Sequence, residues 1–194
     1  MIFSVKNTTM RMILELFCPH YCLLCGRLGS AVCNECKFYN INDYNRMRVL
    51  IDGLKFRSIR SLAWPLAEIL ERKLPCLPKN VVVVPVPTIS VHVRERGLDH
   101  TYLIAKNLAK LRGWRCVKLV RRITNTVQVG ASAKLRQSQA EEAYELVGEV
   151  EGQQDYLVID DVCTTGASLS AVRTVLEKGG AKKISVAVLA RSGD

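Results

Sequence analysis

The stretch from Tyr156 to Ser168, YLVIDDVCTTGAS, constrains the fold more than any other part of the chain. An apolar run, Leu157-Val158-Ile159, ends in two adjacent carboxylates, Asp160 and Asp161, and a hydroxyl-rich loop from Cys163 to Ser168 turns on Gly166. Leu169, Val172, Val175 and Leu176 then recur at helical spacing until Gly179-Gly180, a stop signal. A second β-type run covers Ile184 to Leu189. Strand, loop, helix and strand in this order predict a right-handed βαβ unit with two parallel strands. Ligands of such sheets sit at the carboxyl ends of the strands, where Asp160 to Ser168 fall. Taken singly, two acids after a strand also begin turns or cap helices. Taken together, the pieces suit a sugar phosphate: helix N-terminal N–H groups hold the phosphate, and the carboxylates accept ribose hydroxyls or contact a hydrated metal.

A second motif lies near the N-terminus. Five of the eight cysteines fall between Cys18 and Cys36, and Cys22-Leu-Leu-Cys25 and Cys33-Asn-Glu-Cys36 are two CxxC units joined by a short loop. Each unit can turn two thiolates onto one ion, with Gly26 permitting the tight turn, and two units complete a tetrahedral four-cysteine site of the kind structural zinc prefers. Cys22, Cys25, Cys33 and Cys36 are therefore the candidate ligands of a small zinc ribbon or knuckle. An iron–sulfur cluster and a redox dithiol are the competing uses, and Cys18 and His20 are alternative ligands. Cys76 and Cys116 read as core or loop residues.

With 194 residues and 48% hydrophobic composition, the chain can bury a core for one α/β domain with a small appendage. No apolar run reaches the ~20 residues of a membrane span. The apolar N-terminal tract is broken by Arg11 and Glu15 and is followed by no small-residue cleavage site, so a cytoplasmic location is expected. A polar link from Tyr39 to Asn45 suggests a boundary between an N-terminal metal unit, residues 1–45, and a main domain, 46–194. Leu62, Leu66, Ile69 and Leu70 predict an amphipathic helix with Pro65 in its first turn. Val81 to Val84 reads as a buried parallel strand that Pro85-Val86-Pro87 ends. Leu98, Tyr102, Ala105 and Ala109 share one side of a further helix, and Arg115 to Val120 reads as another strand. Arg121 to Gln139 is long, polar and without period, as in a binding loop or an insertion.

The formal net charge of +10 favours polyanionic or phosphorylated partners. Between Lys106 and Arg122 lie Lys106, Lys110, Arg112, Arg115, Lys118, Arg121 and Arg122 with no acid, and Trp114 among them is placed to stack on a base. A solvated helix face with a core Trp gives the same string.

The segment Tyr156–Ser168 resembles the phosphoribosyl pyrophosphate (PRPP) signature of type I phosphoribosyltransferases, with Cys163 where that signature usually carries an aliphatic or aromatic residue. Leu54-Lys55-Phe56-Arg57, Val83 to Pro87 and Arg94-Glu95-Arg96-Gly97, in this order between the paired CxxC units and the PRPP signature, resemble the ComF family of phosphoribosyltransferase-like competence proteins. The resemblance implies a type I phosphoribosyltransferase-like α/β fold, a parallel sheet flanked by helices, behind a four-cysteine zinc unit. It implies that Asp160 and Asp161, the catalytic candidates, bind ribose hydroxyls and that Cys163, Thr164, Thr165, Gly166, Ala167 and Ser168 form the 5′-phosphate site, with Mg²⁺ accompanying PRPP. Lys55 and Arg57, or Arg94 and Arg96, are candidate pyrophosphate contacts. The family usually follows its Arg-Gly with an aromatic, Asn and Gln; here stand Leu98, Asp99 and His100, and a surface or helix-capping role is expected for His100. The implied role is handling of single-stranded DNA in natural transformation, with other competence or DNA-processing proteins as partners. An active Mg²⁺-dependent phosphoribosyltransferase on a nitrogenous acceptor and a PRPP sensor without catalysis are the alternatives.

Overall fold

The structure, a computed structural model, describes residues 21–39, 43–123 and 143–192. Cys18, His20 and most of the loop expected over 121–139 lie outside the described residues. Helix α1 (Asn34–Tyr39) follows the cysteine pairs, and α2 (Tyr44–Lys55) starts at an Asp43 cap whose carboxylate accepts from the N–H groups of Asn45 and Arg46. A 3₁₀ turn (Arg60–Leu62) leads into α3 (Ala63–Lys73), with Pro65 in its first turn. Strand β1 (Val81–Pro85), α4 (Ser90–Arg96) and α5 (His100–Arg112) precede two short strands, β2 (Arg115–Cys116) and β3 (Val120–Arg122). Then come β4 (Tyr144–Leu146), β5 (Asp155–Cys163), α6 (Ala167–Lys178) and β6 (Lys183–Arg191).

Strands β2, β1, β5 and β6 lie in that order in one sheet, every pairing parallel. The predicted βαβ unit is β5–α6–β6, in register from Asp155 opposite Lys183 to Cys163 opposite Arg191. The parallel sheet flanked by helices is thus present. One expectation is corrected: Arg115 to Val120 is not a single strand. Cys116 is the last residue paired to β1, and the chain then leaves the sheet, so that Val120 pairs antiparallel with Leu146 in a separate β3–β4 ladder. Arg121 and Arg122, placed in the long loop by sequence, belong to β3.

The sheet has a core on each face, and the two-residue period of its strands assigns residues to them. Val81, Val83, Leu157 and Ile159 pack with α2, α3 and α5 through Leu50, Leu54, Leu66, Leu70 and Leu108. Val82, Val84, Tyr156 and Val158 pack with Leu169, Val172 and Leu176 of α6 and with Val120 and Tyr144 of the small ladder. Burying each of these aliphatic side chains contributes about 2 kcal/mol before chain entropy is counted. The cysteine unit adds to the first core: Cys22, Ala31, Val32 and Cys36 are buried with α2 and α3, and Lys37 Nζ donates to Glu68 over 2.8 Å. Among the described residues no helix is long and apolar enough to cross a membrane.

Candidate functional site

Asp160 and Asp161 lie within β5, not beyond it. The strand continues past both acids to Cys163, because β6 keeps pairing as far as Arg191. Their side chains therefore alternate. Asp161 continues the Leu157–Ile159 row toward α2 and α5, and Asp160 continues the Tyr156–Val158 row toward α6. This one-residue difference gives the two carboxylates different surroundings.

On the first face, the last residue of α2 and the first residue of α5 meet Asp161. His100 Nε2 donates to Asp161 Oδ2 over 2.9 Å and Lys55 Nζ stands 3.2 Å from the same oxygen, while Asp161 Oδ1 accepts the Val162 N–H. Asp161 is 5% exposed. Burial pushes its carboxyl up, but the His100 bond and the Lys55 charge outweigh that and hold it well below the ordinary carboxylate range. On the second face, Asp160 accepts the Asp161 N–H, and among the described residues it makes no ion pair, the Lys55 charge acting on it only weakly. Burial, then the neighbouring Asp161 charge, push its carboxyl well above the ordinary range. Two adjacent acids thus stand as one ionised group and one that resists ionisation.

The expected surface or capping place of His100 is corrected. The cap of α5 is Asp99, which accepts from the Tyr102 N–H, and His100 is 3% exposed. The Asp99 carboxylate is further held by Lys118 Nζ at 2.9 Å and the Thr88 hydroxyl at 3.3 Å. His100 Nδ1 is buried with no hydrogen-bond partner among the described residues. No local signal marked His100, because its burial arises only when the α5 N-terminus docks against the end of β5.

Both acids open onto a cavity of about 400 Å³ at the carboxyl end of the sheet, within the size range of small-molecule sites. From the proposed phosphate segment it takes Ser168 as well. Thr164 and Thr165 are exposed, Gly166 turns into α6 at φ 77°, and the partly buried Cys163 packs in the α6-side core. The first-turn N–H groups of a helix have no intrahelical partner, which suits the α6 N-terminus to an anion. Of the basic candidates, the cavity wall takes one from each pair: Lys55 and Arg96 line it, whereas Arg57 and Arg94 do not. Phe56, from the Leu54–Arg57 run, Arg122, from the basic string, and Tyr144, which had no sequence signal, also line it.

The four predicted cysteines form a second candidate site. Their sulfur atoms all lie within 4.8 Å of one another, with Cys25 and Cys33 at 3.7 Å. Tetrahedral zinc–thiolate bonds of about 2.3 Å place sulfurs roughly 3.8 Å apart, so the donor set fits a metal such as zinc. Burial pushes the Cys22 thiol up, but N–H groups of Cys33, Leu24 and Cys25 outweigh it and bring it down to about 6; burial also pushes Cys36 up.

Most of the basic string from Lys106 to Arg122 is committed within the fold. Arg112 pairs with Glu71, Arg115 with Glu151, Lys118 with Asp99 and Arg121 with Glu145. Trp114 packs partly against the first core, with Arg112 Cζ 5.2 Å from its ring centroid. Lys106 and Lys110 project from the exposed side of α5.

No protein-family model matches the chain. Among curated proteins, it is 27% identical over 195 residues to Competence protein ComFC of Bacillus subtilis (strain 168), covering 89% of this chain and 78% of that protein. It is 28% identical over 182 residues to DNA utilization protein YhgH of Salmonella typhi, with 89% and 80% covered. To Competence protein F of Haemophilus influenzae it is 27% identical over 196 residues, with 87% and 84% covered. Among solved structures, a glutamine PRPP amidotransferase from B. subtilis aligns at a TM-score of 0.43 and 19% identity over 64% of this chain and 25% of that one, so the chain spans about a quarter of its length. An adenine phosphoribosyltransferase aligns at 0.40 and 17% identity over 77% of this chain and 71% of that one. The resemblance carried by the paired CxxC units and the Asp160-Asp161 segment thus lies within a similarity that extends over most of the chain, to competence and DNA utilization proteins at 27–28% identity.

Proposed function

We propose that this protein binds PRPP with Mg²⁺ at the carboxyl end of β5 and serves in the handling of single-stranded DNA, as the names of its relatives suggest for them. The observation that carries the reading is that Asp160, Asp161 and Ser168, in the first turn of α6, line one cavity with Lys55 and Arg96. In this reading Asp160 accepts ribose hydroxyls, the segment Thr164–Ser168 holds the 5′-phosphate, and Lys55 and Arg96 face the pyrophosphate. Asp161, clamped between Lys55 and His100, sets the position of both groups. Mg²⁺ would supply charge neutralisation on the pyrophosphate; the carboxylates and the phosphate oxygens of PRPP are the hard oxygen donors such a cation takes. The four-cysteine site holds structural zinc, since all four donors come from the protein and leave no open position.

Calorimetric titration with PRPP and Mg²⁺ tests this. Binding to the wild-type chain and its loss, by at least about 10-fold, in Asp160→Asn are expected; equal affinity in the variant would refute the site. Asp160 is the informative position, because Asp161 is also part of the folded core and its replacement confounds binding with stability.

A further inference from the structure

A second cavity, of about 300 Å³, lies at the amino end of the sheet. Val81, the first residue of β1, lines it, whereas Val86, just past the last, lines the cavity of Asp160 and Asp161. The length of β1 therefore separates the two by roughly 16 Å. Strand register builds this cavity. Arg115 opens β2 opposite Val82, and Asp155 opens β5 opposite Val81, so the segments entering three adjacent strands converge at one place. Gly113 ends α5 at φ 68°, and this turn brings Trp114 and Arg115 to the wall they share with Lys79 and Asn80. Two ties hold the frame. Gln154 Nε2 donates to the carbonyls of Asn80 and Asp155, joining the entrance of β1 to that of β5. The Trp114 N–H donates to the Ala109 carbonyl over 2.8 Å, and its side chain packs partly into the first core.

The charge on this frame has one sign. Lys79 and Arg115 line the cavity, and among the described residues no acid does. Lys79 is exposed and makes no ion pair among the described residues. Arg115 has Glu151 as a partner, but at 3.9 Å and with the two side chains 67% and 72% exposed. Such a pair in water contributes little and yields to a better acceptor. A phosphate group is that acceptor: the guanidinium fork matches its oxygens, the ammonium adds a point charge, and the Asn80 amide adds neutral donors. The volume stands at the lower end of the range for small-molecule sites, enough for a phosphate with an attached sugar. We propose that this cavity is a second anion site, which takes the phosphate group of a nucleotide, free or within a single strand. The proposal goes beyond the ribose-phosphate reading and does not depend on it, because the two cavities share no residue.

The test is calorimetric titration of the full chain with thymidine 5′-monophosphate, with a short oligothymidylate and with thymidine, which lacks the phosphate. The Lys79→Ala, Arg115→Ala double variant should weaken binding of the monophosphate, the oligomer or both by about 10-fold or more. The Arg48→Ala, Arg173→Ala double variant removes the same two charges from α2 and α6, outside either cavity, and should change affinity by less than about 2-fold. All four positions are exposed, and circular dichroism confirms that both variants are folded. Weakening with the oligomer alone identifies a strand, weakening with the monophosphate alone identifies a free nucleotide, and weakening with both identifies a phosphate read wherever it is carried. No binding of either phosphate probe overturns the proposal. So does equal weakening in the two double variants, affinity unchanged by Lys79→Ala, Arg115→Ala, or thymidine binding as tightly as its monophosphate. PRPP with Mg²⁺ is titrated separately: no binding to the wild-type chain removes the ribose-phosphate reading and leaves the second site standing. Where PRPP binds, the Lys79→Ala, Arg115→Ala variant should bind it as wild type does, and its loss there would overturn the separateness of the two sites and with it the proposal.

Discussion

His100 Nε2 donates to Asp161 Oδ2 across 2.9 Å at a site where His100 is 3% and Asp161 5% exposed. The bond joins the first residue of α5 to the third-last residue of β5, so the helix that follows the Arg96-Gly97 turn is locked to the end of the central strand. With Lys55 on the same oxygen, it makes Asp161 a carboxylate of the folded framework, whereas Asp160 makes no ion pair among the described residues.

The two aspartates should therefore respond oppositely to amidation. Asp161→Asn removes the charge that faces Lys55 and His100 and should cost on the order of 3 kcal/mol of unfolding free energy at pH 7. Asp160→Asn removes a group that resists ionisation and should stabilise by about 1 kcal/mol. The pH dependence has matching signs. Because the folded value of Asp161 lies below the unfolded value of about 3.9, its contribution is complete above about pH 4 and is lost as pH falls further. Because the folded value of Asp160 lies above it, its penalty is absent in acid and grows as pH rises beyond about 4. Urea denaturation from about pH 3 to 7 reads both; an Asp160→Asn curve parallel to wild type between about pH 4 and 7 would contradict the assignment.

His100 offers a graded test. His100→Ala removes a buried donor to Asp161 and leaves a cavity, and should lower unfolding free energy by about 2 kcal/mol. His100→Gln can still donate to Asp161 and should recover at least half of that loss. Equal destabilisation in the two variants would mean that the ring's packing, rather than its hydrogen bond, holds the junction.

Removing the metal should be felt beyond the cysteine unit. Cys22, Val32 and Cys36 share a core with α2 and α3, and Lys37 pairs with Glu68 where both side chains are largely shielded. Elemental analysis should find about one zinc per chain, and chelation should lower the melting temperature of the main transition by several degrees, since each 1 kcal/mol shifts a domain of this size by about 2–4 °C. A main transition that is unmoved while zinc is lost would show a metal unit uncoupled from the sheet.

If single-stranded DNA lies along α5, Lys106 and Lys110 should matter more than the arginines beside them, because Arg112 and Arg121 already pair with Glu71 and Glu145. Each Lys→Ala change should reduce the slope of log affinity against log salt by roughly 0.7. Fluorescence anisotropy with a labelled oligonucleotide measures this, and slopes unchanged in the Lys106→Ala, Lys110→Ala double variant would place the DNA elsewhere.

Much of this organisation is legible in the sequence. The βαβ unit, the Val81–Val84 strand and the helix carrying Leu66, Ile69 and Leu70 follow from period and punctuation, which depend on near neighbours along the chain. The paired CxxC units likewise bring their sulfurs together through two local turns and a short loop. The break between Cys116 and Val120 was not legible, because the stretch is apolar apart from Lys118 and only the pairing of Val120 with Leu146 takes the chain into a separate ladder.

At the candidate site the division is sharper. That two acids stand at the end of a central strand before a glycine turn is written in residues 156–168. That Asp161 is clamped while Asp160 is not, that one basic residue of each candidate pair reaches the cavity, and that His100 is buried rather than displayed were decided only by tertiary structure. The reason is physical: a two-residue strand period sends adjacent side chains to opposite faces, and what waits on each face is set by α2, α5 and α6, elements up to 106 residues away from their contact.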